Sequence, residues 1–205
     1  MLLFHYPSSQ SAGFDYLKRS VKLQFGSLTD QQPVGQHPIR PWIAEELPQA
    51  FSDWKCEVVA LELARSFREK VTILHAEFHR PVTSSTPDRF SRHYADAAAL
   101  ATHPIASLAI NQNALRDRVV DWKSRFFGST WASYATAKPG TFRLVPPESR
   151  QDALRRDNQA MQIMYLSKAP SFDVIIEALA ELEAWRGNPL FSQLEDLFLK
   201  IQPEE

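Results

Sequence analysis

The chain is expected to be a mainly α protein with a small β portion, an α+β chain whose strands lie near its start. Three observations carry this expectation. Apolar residues recur at helical spacing in most stretches beyond residue 55, short runs of strand character stand only before residue 26, and Pro33, Pro38, Pro41 and Pro48 crowd the stretch between 28 and 50. The natural division is therefore residues 1–50, short strands with a proline-rich connection, and residues 51–205, a helical domain.

Leu2 to Tyr6 is short, apolar and aromatic and is closed by Pro7, Ser8 and Ser9, which predicts a strand. Val21 to Phe25 alternates apolar and polar positions before Gly26 and predicts a second, half-buried strand. Two strands alone are marginal in water, so the sheet looks incomplete. Residues 28–50 predict an extended, irregular connection, because each proline fixes φ and removes a donor. Lys55 to His79 predicts one long amphipathic helix with Ala60, Leu63, Phe67, Val71, Leu74 and Phe78 as its apolar stripe, stopped by Pro81.

After a Ser/Thr/Pro-rich loop, Ser91 to Thr102 predicts an alanine-rich helix stopped by Pro104, and Leu108 to Phe127 another, ended at Gly128. Thr141 to Val145 predicts a brief strand or extended strip. Pro146-Pro147-Glu148 opens a helix running to Tyr165, Ser171 caps a further segment from Phe172 to Trp185, and Asn188-Pro189 starts a last one ending near Ile201.

Composition narrows the class without naming a partner. The 205 residues, 44% of them hydrophobic with 13 Phe and 5 Trp, suffice for a core, and a formal net charge of −1 gives no global attraction to nucleic acid or anionic lipid. Cys56 is the only cysteine, so no internal disulfide forms. No apolar run approaches ~18 residues and the start lacks a signal-peptide pattern, so the expectation is a soluble, cytoplasmic protein without membrane contact.

Chemistry is best sought at Lys70, which falls inside the apolar stripe, three residues from Phe67 and four from Leu74. A lysine there either snorkels to water or meets an anion. Asp96 lies on the next helix, with Arg92 and His93 one turn away, and two readings are open for the Lys70 and Asp96 pair: an ion pair between helices, or a phosphate-holding lysine beside a functional carboxylate. His75 and His79 have the four-residue spacing of metal ligands, with His93 as a possible third, but a solvated helix face is the simpler explanation. Arg80, Arg89, Arg92, Lys123 and Arg125, interleaved with Trp122, Phe126 and Phe127, form either a nucleic-acid patch or a charged rim around an aromatic core. No Gly-x-Gly-x-x-Gly, Walker or Gly-x-Ser-x-Gly motif is present.

Arg68-Glu69-Lys70, Leu74-His75-Ala76-Glu77, Ser91-Arg92-His93-Tyr94-x-Asp96, Lys123-Ser124-Arg125-Phe126-Phe127 and Pro139-Gly140-Thr141-Phe142-Arg143-Leu144-Val145-Pro146, in this order, resemble the second half of the AbiEii/AbiGii-type nucleotidyltransferase toxins. The resemblance runs from about Leu2 to Trp185. It implies the helical C-terminal part of a polymerase-β-like nucleotidyltransferase with much of the catalytic sheet missing, from a family of type IV toxin–antitoxin and phage-abortive systems. It also implies Lys70 and Asp96 as active-site groups, with Arg68, Arg92, His93 and Lys123 as nucleotide- or phosphate-binding residues. Mg²⁺ and a nucleoside triphosphate are the implied cofactors, and RNA ends the implied acceptor class.

The family's Gly-Ser or Gly-Gly turn and Asp-x-Asp or Asp-x-Glu pair do not stand before Val21, and Gln24 occupies a position where relatives carry glutamate. The expectation is thus a short family member that lacks its metal carboxylates and is catalytically incomplete as this chain alone. Its expected partners are a nucleotide, an RNA acceptor, a cognate antitoxin and a separate N-terminal half. The alternative is a non-catalytic module that binds nucleotide, RNA or antitoxin.

Overall fold

A computed structural model describes residues 1–5, 7, 16, 18–26, 30–52 and 55–184. Strands β1 (Leu2–His5) and β2 (Ser20–Leu23) pair antiparallel, with Leu2 opposite Leu23 and His5 opposite Ser20. Strand β3 (Val34–Ile39) is followed by α1 (Ile43–Glu46) and a short 3₁₀ turn, and then by β4 (Cys56–Leu61), which pairs antiparallel with β3 from Val34 opposite Leu61 to Ile39 opposite Cys56. The described strands thus form separate two-stranded sheets. The helical body follows as α2 (Leu63–Phe78), α3 (Ser91–Ala101), α4 (Ile105–Asn111), α5 (Asn113–Phe126), α6 (Glu148–Met161) and α7 (Phe172–Ala184). The mainly α, α+β expectation holds.

Both expected early strands are present, the second shifted to Ser20–Leu23 and exposed rather than half-buried, with Val21 52% and Leu23 41% exposed, and three further assignments change. Residues 56–61, expected at the head of one long helix, form β4, because Val58 and Val59 suit a pleated strand and β3 supplies the pairing partner. The connection at 28–50, expected to be irregular, contains β3 and α1. The single helix expected from Leu108 is interrupted at Gln112, whose ψ of 82° leaves the helical region and separates α4 from α5. Residues 141–145 form no strand: Thr141 closes a turn, Val145 lies in a bend, and 142–144 between them have no regular structure. α6 ends at Met161 in a 3₁₀ turn to Met164, short of Tyr165. The expected helix beyond Asn188 and the Trp185 end of α7 lie outside the described residues.

α2 is the axis of the body and packs against α3, α4 and α5, while α3 is also covered by α6 and α7. Phe67, Val71 and Leu74 on α2 are fully buried, each such side chain contributing roughly 1.5–3 kcal/mol by leaving water. Opposite them α3 presents Ala97, Ala98 and Ala101, also fully buried, whose small side chains let the helices approach closely. Leu63, expected on the stripe, is instead 46% exposed. The stripe is therefore confined to the middle turns of α2, which sets Lys70 at its edge.

The sheets are tied to the helices by charge. Asp30, just before β3, accepts from Arg65 Nη1 at 2.6 Å and from Arg118 Nε and Nη2 at 2.5 and 2.7 Å, joining that segment to α2 and α5. Arg65 also donates to the Gln32 carbonyl at 2.7 Å and to Glu69 one turn on. At the opposite end of α3, Asp157 of α6 accepts the Ser91 amide at 2.7 Å, satisfying a donor that the helix itself leaves unpaired.

Candidate functional site

The middle of α2 and the first turns of α3 bring three of the sequence-selected residues together. Lys70 Nζ lies 2.5 Å from Asp96 Oδ2 and 3.2 Å from His93 Nδ1. His93 and Asp96 stand three residues apart on α3, so both can face one ammonium. The Lys70 side chain is 23% exposed and that of Asp96 51%, which makes this a partly open pair at the rim of the core. An ammonium carries three donors, and the described residues engage two of them.

His93 must accept from Lys70 and so is neutral at that nitrogen. Burial pushes its pKa down to about 4, and the positive charges of Lys70, Arg92 and Lys123 push the same way against a smaller opposing effect from Asp96. The Arg92 and Lys123 charges therefore both act on His93, one from α3 and one from α5. Arg92 is exposed on α3. Lys123, on α5, sits 3.9 Å from Glu69 Oε2 and over the ring of Phe127, and burial lowers its pKa.

Arg68 does not join them. Two residues from Lys70, it projects to nearly the opposite side of α2, is fully buried, and donates to the carbonyls of Ala109 at 2.9 Å and Ile110 at 2.6 Å. Those carbonyls belong to the last turn of α4, where Ala109 has only the Gln112 amide at 3.1 Å as a backbone partner, so Arg68 supports the α4–α5 break.

His75 and His79 do not form the metal pair their spacing allowed. His75 is buried among neutral partners, with Nε2 near the Ser133 carbonyl and the Thr136 hydroxyl and Nδ1 accepting the Arg143 amide at 3.1 Å. Burial holds its pKa down to about 4, helped by the charge of His79. Of the broader basic patch, Arg80 is paired with Glu77 and Arg125 with Asp121, each on its own helix. Sequence reading overlooked Glu69 as a hub between Arg65 and Lys123, although the Arg65 to Glu69 spacing of four was a visible signal.

The donors for the divalent ion implied by the resemblance can be tested on these residues. Around Lys70 the carboxylates are Asp96 and Glu69, and both are already engaged by cations. Among the described residues no three His, Cys, Asp or Glu side chains converge as a metal site. They therefore do not fit a two-metal triphosphate site by themselves.

What the geometry defines is a helical scaffold presenting a partly exposed lysine held by a half-exposed carboxylate and a neutral histidine, a cation that can meet an anion such as phosphate. The sequence model of the nucleotidyl transferase AbiEii toxin family, type IV toxin–antitoxin system, matches residues 1–184, and the chain belongs to that family. It is a nucleotidyltransferase-like toxin-family protein, a class in which an antitoxin is the partner. No curated protein and no solved structure matches the chain. Among the described residues no helix is long and apolar enough to cross a membrane.

Proposed function

We propose that Lys70, with Arg92, His93 and Lys123 around it, holds the phosphates of a nucleoside triphosphate, and that the chain serves nucleotidyl transfer to an acceptor such as RNA. The observation that carries this reading is the Lys70 ammonium, positioned by Asp96 and His93 with a donor to spare. A lysine serves phosphate as a point charge, and partial burial strengthens the attraction by excluding water. Asp96 orients the ammonium and, being half-exposed, can accept a hydrogen bond from an incoming hydroxyl. His93 stays neutral and acts as an acceptor that fixes the lysine.

On this reading the carboxylates that carry Mg²⁺ come from outside the residues described around Lys70, and this chain alone is catalytically incomplete. When bound, the metal would neutralise the triphosphate during transfer. Incubating the purified chain with Mg²⁺, labelled nucleoside triphosphates and RNA is expected to give no transfer. Titration of the same triphosphates is expected to show binding that Lys70→Ala weakens by roughly tenfold or more, the loss of one charge-assisted contact. Equal binding by Lys70→Ala would overturn the phosphate site, and robust transfer abolished by that substitution would overturn the incompleteness.

A second reading is a non-catalytic module that engages an antitoxin. It is favoured by the strand pair β1–β2, where Leu2, Leu3, Phe4, Val21 and Leu23 are all exposed, on both faces of β1. Binding of nucleotide and of a protein partner without turnover in any reconstituted mixture would support it.

A further inference from the structure

A cavity of about 200 Å³ lies between α3 and the segment joining α6 to α7, lined by Ala95, Ala98, Ala99, Tyr165, Lys168 and Ile175. The lysine cluster does not use it, yet the two adjoin. Ala95 directly precedes Asp96, and Ala99 stands three residues beyond it on the same side of α3. Tyr165 is close enough to feel that carboxylate: burial raises its pKa and the Asp96 charge raises it further.

The lining is mostly apolar, with Tyr165 and the α3 alanines among its residues, and Ser167 and Lys168 are its polar members. Sites for whole drug-sized molecules run from roughly 300 to 1,000 Å³, so this space suits one ring system rather than a complete nucleotide. A nucleobase has the required chemistry, with apolar faces for Tyr165 and alanine and polar edges for the hydroxyl and ammonium.

We propose that this cavity takes the base of the nucleotide whose phosphates are held at Lys70, leaving Asp96 between them to face the ribose. The inference rests on the phosphate reading above. It adds that recognition extends past the phosphates along α3, toward the C-terminal end of that helix.

Calorimetric titration of the full chain with ribonucleoside triphosphates and with inorganic tripolyphosphate tests it. At least one nucleoside triphosphate is expected to bind roughly tenfold tighter than tripolyphosphate, the worth of one enclosed, stacked base. Ala99→Leu puts a branched side chain into the cavity from an exposed helical position that leucine suits, and it is expected to erase this advantage while tripolyphosphate binds as in the parent. Tyr165→Ala is expected to do the same if Ala99→Leu fails to fold. Equal affinity for tripolyphosphate and every nucleoside triphosphate in the parent, or an advantage that survives the folded variants, overturns the base pocket while the phosphate site stands. Absence of binding by either probe in the parent overturns the phosphate reading and the pocket together.

Discussion

Two cation–carboxylate clusters start from the same helix and differ in what they leave open. At Arg65 the guanidinium is fully buried and the Asp30 side chain is 7% exposed, with three N–H groups of Arg65 and Arg118 directed at the two carboxylate oxygens. At Lys70 the partner carboxylate is 51% exposed and the ammonium keeps a donor unused among the described residues. A buried cluster is closed to solutes and holds the fold, whereas a partly open one can exchange a protein contact for a ligand. The difference in exposure, more than the identity of the charges, separates a structural pair from a candidate site.

The largest effect is expected where the buried cluster is broken. Asp30→Ala strands the buried Arg65 charge with only Glu69 and the Gln32 carbonyl, and should cost about 3 kcal/mol. A urea unfolding curve measures this as a lowered midpoint with an unchanged slope; an unmoved midpoint would contradict the structural role. The same cluster has a pH signature. The hydrogen bonds from Arg118 and then Arg65 hold the Asp30 carboxyl well below the usual carboxylate range, against the effect of burial. With the folded pKa depressed, the stabilisation is complete above the ordinary value of 3.8 and is lost as pH falls below it. Asp30→Asn should flatten the acid limb of the stability profile relative to the parent.

Next in size is Arg68, which sequence placed near the phosphates and the structure places under α4. Arg68→Met keeps much of the side-chain length but removes the guanidinium donors from the Ala109 and Ile110 carbonyls, of which Ala109 keeps only the Gln112 amide, a loss of about 2 kcal/mol. Nucleotide affinity of the folded variant should match the parent. A variant that is as stable as the parent but binds nucleotide poorly would return Arg68 to the site.

How far these clusters were legible follows from how local their signals are. α3, α6 and α7 are written in nearby residues, namely Pro104 after one, Pro147 before another, and Ser171, whose hydroxyl accepts the Val174 amide at 3.3 Å. Lys70 was conspicuous as a charge beside Phe67 and Leu74. Asp96 could be attached to it only through the order of motifs, since 26 residues separate them. Asp30 and Arg65 are 35 residues apart, with nothing in the intervening sequence to couple them. The strand β4 was hidden because Ala60 prolongs the helical spacing of Leu63 and Phe67, and only pairing with β3 decides in favour of a strand. β3 in turn was masked by Pro38, which is tolerated because each strand in this two-stranded sheet has an unpaired edge.

A pH-dependent effect is expected from acid on the histidines. His75 in the core and His93 at the lysine cluster are both held near pKa 4 by burial, against an ordinary value of 6.5. Between those values the unfolded chain binds more protons than the folded one, so stability falls as pH drops from 6.5 toward 4. Replacing His93 by Gln should reduce that slope, and a parent profile flat over this interval would show that neither imidazole is kept neutral by the fold.

The smallest stability change is expected at the partly open cluster itself. Lys70→Ala removes a partly exposed ion pair and should shift the unfolding free energy by about 1 kcal/mol or less. The informative readout is the pKa of His93, followed by NMR titration of its ring protons. Lys70 is the largest electrostatic contribution holding that pKa down after burial, whereas Asp96 opposes it. Lys70→Ala should therefore move the His93 titration upward from about 4, and Asp96→Asn should move it down. Opposite shifts in two variants of near-parental stability require that all three groups meet at one point. Shifts of the same sign, or none, would dissolve the cluster on which the proposed phosphate site rests.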